Sequence, residues 1–295
     1  MQEYIEKLKK KFNYDKSLLS FLEHLIPCMI NYYGEKYKNK ILDSIFSCEI
    51  HFQEKNENME DYLNSYFCTK KEWKLPELGG AFFYNEITVV DDKIEVKPII
   101  YVKRIFYNIY KPFDYSNDNN LDTLIHEICH LVKSYRNIVM EQGKIIDYSG
   151  LMKDVYSYSP INGIVEESDY AVGIEEAINV VDSAKILELL TGKHQKMRGY
   201  KVAGKCANEL LKINDIASVI RESQFNGNDY WEEYVGKNNS KKLIESFDIL
   251  VNAMYVSYSE INTKEKKEKI RQKMRLAYKD IDCFIKKHIN NSDPE

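Results

Sequence analysis

Hydrophobic positions recur every three to four residues over the first 47 residues, every second residue over much of the next 60, and at helical spacing again after about residue 173. Ile5, Leu8 and Phe12 mark a first short helix. Leu18, Leu19, Leu22, Leu25 and Ile26 mark a second, with Pro27 placed to kink it and Gly34 to end it. Ile41, Leu42, Ile45 and Phe46 mark a third. From Cys48 to Phe52 the alternation is that of a strand. Ala81 to Tyr84, Ile87 to Val90 and Ile94 to Val102 are β-branched and aromatic, with Asp91-Asp92-Lys93 as a hairpin turn. Pro98 belongs at an edge or a bulge, since it has no N–H to give to a ladder. The charged stretch from Gln53 to Leu78 has poor periodicity and reads as loop with some helix.

Helical spacing returns over Leu121, Leu124, Ile125, Ile128, Leu131, Val132 and Tyr135, the buried stripe of a further helix. Asn119 or Asn120 is the expected N-cap. Ile138 to Tyr148 forms a hairpin around Gly143-Lys144. Residues 149–172, with Gly150, Pro160 and Gly163 among tyrosines and polar residues, read as a long loop. Gly173 opens an amphipathic helix over Ile174 to Leu190 that Gly192 stops. Residues 199–290 are helical throughout, with stripes at Ala203, Cys206, Ala207, Leu210 and Leu211, at Leu243, Ile244, Phe247, Leu250 and Val251, and at Ile270, Met274, Ala277, Ile281 and Phe284.

The helix over Leu121 to Tyr135 carries the candidate chemistry. It contains His126-Glu127-Ile128-Cys129-His130, an H-E-x-x-H sequence. Residues four apart share a helix face, so both imidazoles can reach one metal ion, while Glu127 stands beside it and can hold a water. The plain alternative is an amphipathic helix with two solvent-facing histidines. Cys129 lies off the line of the histidines and reads as a small packing residue. His24 and His51 are isolated and carry no metal pattern.

A catalytic zinc takes three protein ligands and keeps one position open. The extended pattern with a third histidine is excluded, because Lys133 stands in place of its glycine and Arg136 in place of its histidine. A carboxylate must therefore come from elsewhere, and Glu175-Glu176 at the start of the downstream helix is the candidate. In these residues the chain resembles the gluzincin group of zinc metallopeptidases, whose third ligand is a downstream helical Glu often followed by Ala or Gly. Glu176-Ala177-Ile178 matches that pattern, and the resemblance spans roughly residues 80–190. It implies Zn2+ held by His126, His130 and Glu176, with Glu127 as general base. It also implies an oxyanion donor, for which Tyr170, six residues before Glu176, is the first candidate and His194 and Tyr200 the next. Among 23 tyrosines, a packing or exposed Tyr170 is the plain alternative. Many members carry an acidic residue four after the ligand Glu, and Val180 stands there instead. Asn179 or Asp182 could take that supporting place, or Glu175 could be the ligand with Asn179 four residues on.

The expected fold is accordingly α+β and zincin-like: a small mixed or antiparallel sheet, an active-site helix, and a mostly helical C-terminal part. Residues 1–135 would hold the N-terminal helices, the sheet and the H-E-x-x-H helix. Residues 136–295 would hold the hairpin, the Glu-ligand helix and the helical subdomain. One strand between Ala81 and Val102 should be the edge that receives substrate.

Composition narrows the class. With 295 residues, 44% hydrophobic, a sizeable core is expected. A net charge of −4 with interspersed signs argues against nucleic acid, and the lysines of 264–269 alternate with glutamates. Six scattered cysteines without a C-x-x-C pair suit reduced thiols. No apolar h-region opens the chain and no run approaches a membrane span, so a cytoplasmic protein without a membrane partner is expected. The expected activity is zinc-dependent hydrolysis of peptide or protein substrates. The alternative is a regulatory protein that keeps zinc without hydrolysing anything, for which Glu127 would have no use.

Overall fold

The computed structural model describes residues 2–58, 62, 80–90, 93–103, 118–134, 138–141, 144–159, 163–197, 200–227, 230–259 and 264–290. Helices α1 (Gln2–Phe12), α2 (Lys16–Tyr33) and α3 (Lys38–Ser47) open it. The Asp15 carboxylate accepts from the N–H groups of Ser17 and Leu18 at 2.9 and 3.0 Å, which satisfies the free donors of α2. Gly34, at φ 108°, ends that helix where L side chains rarely go. The expected stripes of all three helices turn inward, with Leu8, Phe12, Leu22, Leu25, Ile41 and Ile45 in one core.

That core is covered by a three-stranded sheet, β1 (Glu49–Phe52), β2 (Ala81–Val90) and β3 (Lys93–Val102), in the order β1-β3-β2. The β1 strand runs parallel to β3 and β2 antiparallel to it, as far as Val90 opposite Lys93. The expected turn residues Asp91 and Asp92 lie outside the described residues, as do Tyr135 and most of the stretch from Gln53 to Leu78. Pro98 falls in the central strand rather than an edge. The parallel ladder with β1 begins only at Ile99, so on that side Pro98 stands just outside the pairing and its missing N–H breaks no bond.

Helix α4 (Asp118–Ser134) packs on this sheet. Leu121, Leu124, Ile125, Ile128, Leu131 and Val132 are buried as their spacing requires. It begins at Asp118, so Asn119 and Asn120 lie in its first turn instead of capping it. The second sheet is an antiparallel meander, β4 (Ile138–Glu141), β5 (Lys144–Ser149), β6 (Met152–Ser159) and β7 (Gly163–Tyr170). The first hairpin is the expected one. The long loop expected over residues 149–172 is corrected to the pair β6–β7, joined from Lys153 opposite Tyr170 to Ser159 opposite Gly163. Every residue of β6 is half-buried, so no apolar-in, polar-out contrast marks it.

Helix α5 (Val172–Thr191) runs through the middle. It gives Ile186 and Leu187 to the first core and Ile174, Ala177, Ile178 and Val181 to a second. It is buried nearly all round, so the expected amphipathic helix is a central one. Gly173 permits this. A Cβ there would sit 2.5 Å from the backbone nitrogen of Asp248, whose carboxylate accepts from the Gly173 N–H at 2.7 Å. The second core is completed by α6 (Lys201–Leu210), α7 (Asn214–Asn226), α8 (Tyr230–Val235), α9 (Lys237–Ser259) and α10 (Lys264–Asn290). Among the described residues, no helix is long and apolar enough to cross a membrane.

Candidate metal centre

Helices α4 and α5 pack side by side, and this contact brings the three expected ligands together. Nε2 of His126 lies 3.1 Å from Oε2 of Glu176, and Nε2 of His130 lies 3.2 Å from Oε1. Ligand atoms of the three residues all fall within 4.8 Å of one another. The two imidazoles stand edge to face, 5.0 Å apart. Two imidazoles and a carboxylate are the donor set of a catalytic zinc site, and ligands about 2.0–2.1 Å from a tetrahedral ion are spaced by about 3.3 Å. The Glu176–histidine distances fit that spacing. Burial works to raise the Glu176 carboxyl, but the histidines, His130 first, outweigh it and hold the group well below the ordinary range.

Glu127 sits one residue along α4 from His126, half-buried, with Oε2 accepting the backbone N–H of Phe83 at 2.8 Å. Burial pushes its carboxyl up to about 8. His126 and the Phe83 N–H oppose that rise and the Glu176 carboxylate adds to it. Phe83 belongs to β2, the outer strand of its sheet. Lys103 donates to the carbonyl of Gly80 at 2.8 Å, so the ladder bonds to β3 fall at Gly80 and every second residue after it. The backbone groups of Ala81, Phe83 and Asn85 therefore point outward. The outer strand β2 runs directly past Glu127.

Glu175 is turned the other way. It is fully buried and accepts from Lys133 Nζ at 2.5 Å, from the Leu151 N–H at 2.7 Å and from Gln224 Nε2 at 2.9 and 3.1 Å. A Cβ on Gly150 would lie 2.3 Å from this carboxylate, so the β5–β6 turn needs its glycine. Asn179 and Asp182, the other candidates for support, also point to Lys133.

Tyr170 lies at the end of β7, 38% exposed, with its ring 5.6 Å from Lys153 Nζ. It lines a small hollow with Leu151, Ile174 and Trp231 in which neither histidine nor Glu176 takes part. His194 is exposed beside Glu188, and Tyr200 packs on the second core. Cys129 is buried in the first core, its thiol pushed up to about 12 by burial, and packs as expected. His51 pairs with Glu57 at 2.9 Å, and His24 bonds the Ser20 carbonyl oxygen at 2.7 Å.

No protein-family model, curated protein or solved structure matches the chain. The functional reading therefore rests on the residues themselves.

Proposed function

We propose that the chain is a zinc-dependent metallopeptidase with a zincin-like fold, related in its site to the gluzincins. One observation carries this reading: His126, His130 and Glu176 converge from two helices, with Glu127 beside them at the outer edge of a strand. A purely structural zinc is closed by four protein ligands, whereas this set supplies three and stands next to a carboxylate suited to proton transfer. Bound in such a set, zinc supplies Lewis-acid polarisation and lowers the pKa of a water to about 7. The positive charge of a bound zinc would lower the Glu127 carboxyl again, and the ionised Glu127 then takes the proton from the attacking water and hands it to the leaving amine. An extended peptide pairs with outward backbone groups of β2 other than the Phe83 N–H, which Glu127 holds, and this orients its carbonyl over the site with little demand on side-chain identity.

The test is cleavage of a diverse peptide library by the zinc-loaded protein and by Glu127→Gln. The wild type should cleave, lose activity to a chelator and regain it with zinc. Glu127→Gln should lose at least about 100-fold in rate while keeping its metal. Equal cleavage by the two proteins would remove Glu127 from the mechanism.

A further inference from the structure

Lys133 is the most unusual residue outside the triad. It lies on the metal helix three residues after His130, its side chain is 0% exposed, and its ammonium is held by Glu175 Oε1 at 2.5 Å, by Asn179 Oδ1 and by Asp182 Oδ2 at 3.4 Å. All three partners come from α5, at positions four and three apart, so they form one polar stripe on an otherwise apolar helix. A second cation meets the same stripe. Arg221 of α7 grips Asp182 with both guanidinium nitrogens, at 2.5 and 2.8 Å, and the hydroxyls of Tyr32 and Tyr33 donate to Asp182 at 2.8 and 3.0 Å. A fully buried ammonium and a partly buried guanidinium thus face two buried carboxylates, and the network is neutral within itself. Glu176 is left outside it, with its charge uncommitted except to the histidines.

We propose that Lys133 is a positioning residue for the metal centre, an inference that rests on the metallopeptidase reading. Glu175 and Glu176 are consecutive on α5 and point about 100° apart. Pinning Glu175 to Lys133 fixes the roll of α5 against α4, and that roll aims Glu176 at His126 and His130. The same pair keeps the second carboxylate out of the metal's open position. A hydrophobic pair would hold the helices together equally well. What it would not do is fix which of two adjacent glutamates faces the histidines, because apolar contacts tolerate a rotation that a three-point ammonium bond does not.

The experiment uses Co2+ as the probe, reading affinity by chelator competition and ligand geometry by visible absorption. It compares the wild type with Lys133→Met and with the charge-balanced Lys133→Met/Glu175→Gln. Both should bind Co2+ at least about tenfold more weakly, the scale for losing a group that orients a ligand. Lys133→Met should also show an altered absorption band as the freed Glu175 competes for the ion. The double variant leaves no unpaired buried charge, so it should fold and decides the matter even where the single variant does not. A folded variant with wild-type affinity and spectrum overturns the proposal and reduces Lys133 to a packing element. Failure of the wild type to take up Co2+ or Zn2+ overturns the metal reading instead, so the two are told apart.

Discussion

At the scale of the residue, two adjacent glutamates do opposite jobs. Glu176 faces two histidines, while Glu175 is buried against Lys133. Their alanine variants should separate cleanly. Glu176→Ala removes a ligand and leaves no buried charge unpaired, so metal affinity should fall steeply while thermal stability without metal barely changes. Glu175→Ala leaves a fully buried ammonium with one carboxylate at 3.4 Å, and should cost about 3–5 kcal/mol of stability. Thermal unfolding with and without zinc measures both. The reverse order would exchange the roles. Glu176 was legible from Glu176-Ala177-Ile178, but the placement of Glu175 was not. Lys133 read only as a mismatch to a longer histidine pattern. The signal that could have found it is Glu175, Asn179 and Asp182 at spacing four and three, a polar stripe on an apolar helix that must be met by a buried donor.

At the scale of the element, a buried polar pair ties the first sheet to the second. Asn85 on β2 donates to both oxygens of Asp147 on β5, at 3.1 and 2.9 Å, and both residues are buried. Burial pushes the Asp147 carboxyl up to about 6 from an ordinary value of 3.8, with the Asn85 bond opposing the rise. The folded protein then binds that proton more tightly than the unfolded chain, so this group's contribution to stability is present at low pH and lost as pH rises from about 4 to about 6. The loss amounts to ~3 kcal/mol at most. Asp147→Asn removes the titration. Its melting temperature relative to wild type should rise across that window and level off above it; parallel curves would show that the carboxyl is not shifted. Helices and hairpins with clear period were legible, including the metal helix and the β4–β5 hairpin. The β6–β7 pair was not, because its tyrosines, serines and acidic residues are evenly half-buried and carry no apolar alternation.

At the scale of the whole molecule, the architecture is a clamp around α5. One core forms on its side facing α2, α4 and the first sheet, the other on its side facing α6, α9 and α10, and His126, His130 and Glu176 meet where α4 packs on it. Sequence pattern anticipated helices combined with one small mixed or antiparallel sheet, where the described residues form two, and it read α5 as amphipathic. Its buried Glu175, Asn179 and Asp182 look solvent-facing until their partners from distant helices are known. A ligand that binds only the folded state raises the melting temperature in proportion to ln(1 + [L]/Kd), so zinc should stabilise the whole protein and Glu176→Ala should lose that gain. The most direct measurement is the zinc content of purified protein by elemental analysis. The wild type and Glu127→Gln should each carry about one zinc per chain, and His126→Ala/His130→Ala none at stoichiometric level. Full zinc occupancy in that double variant, or no zinc in a folded wild type given excess metal, would contradict the metal reading.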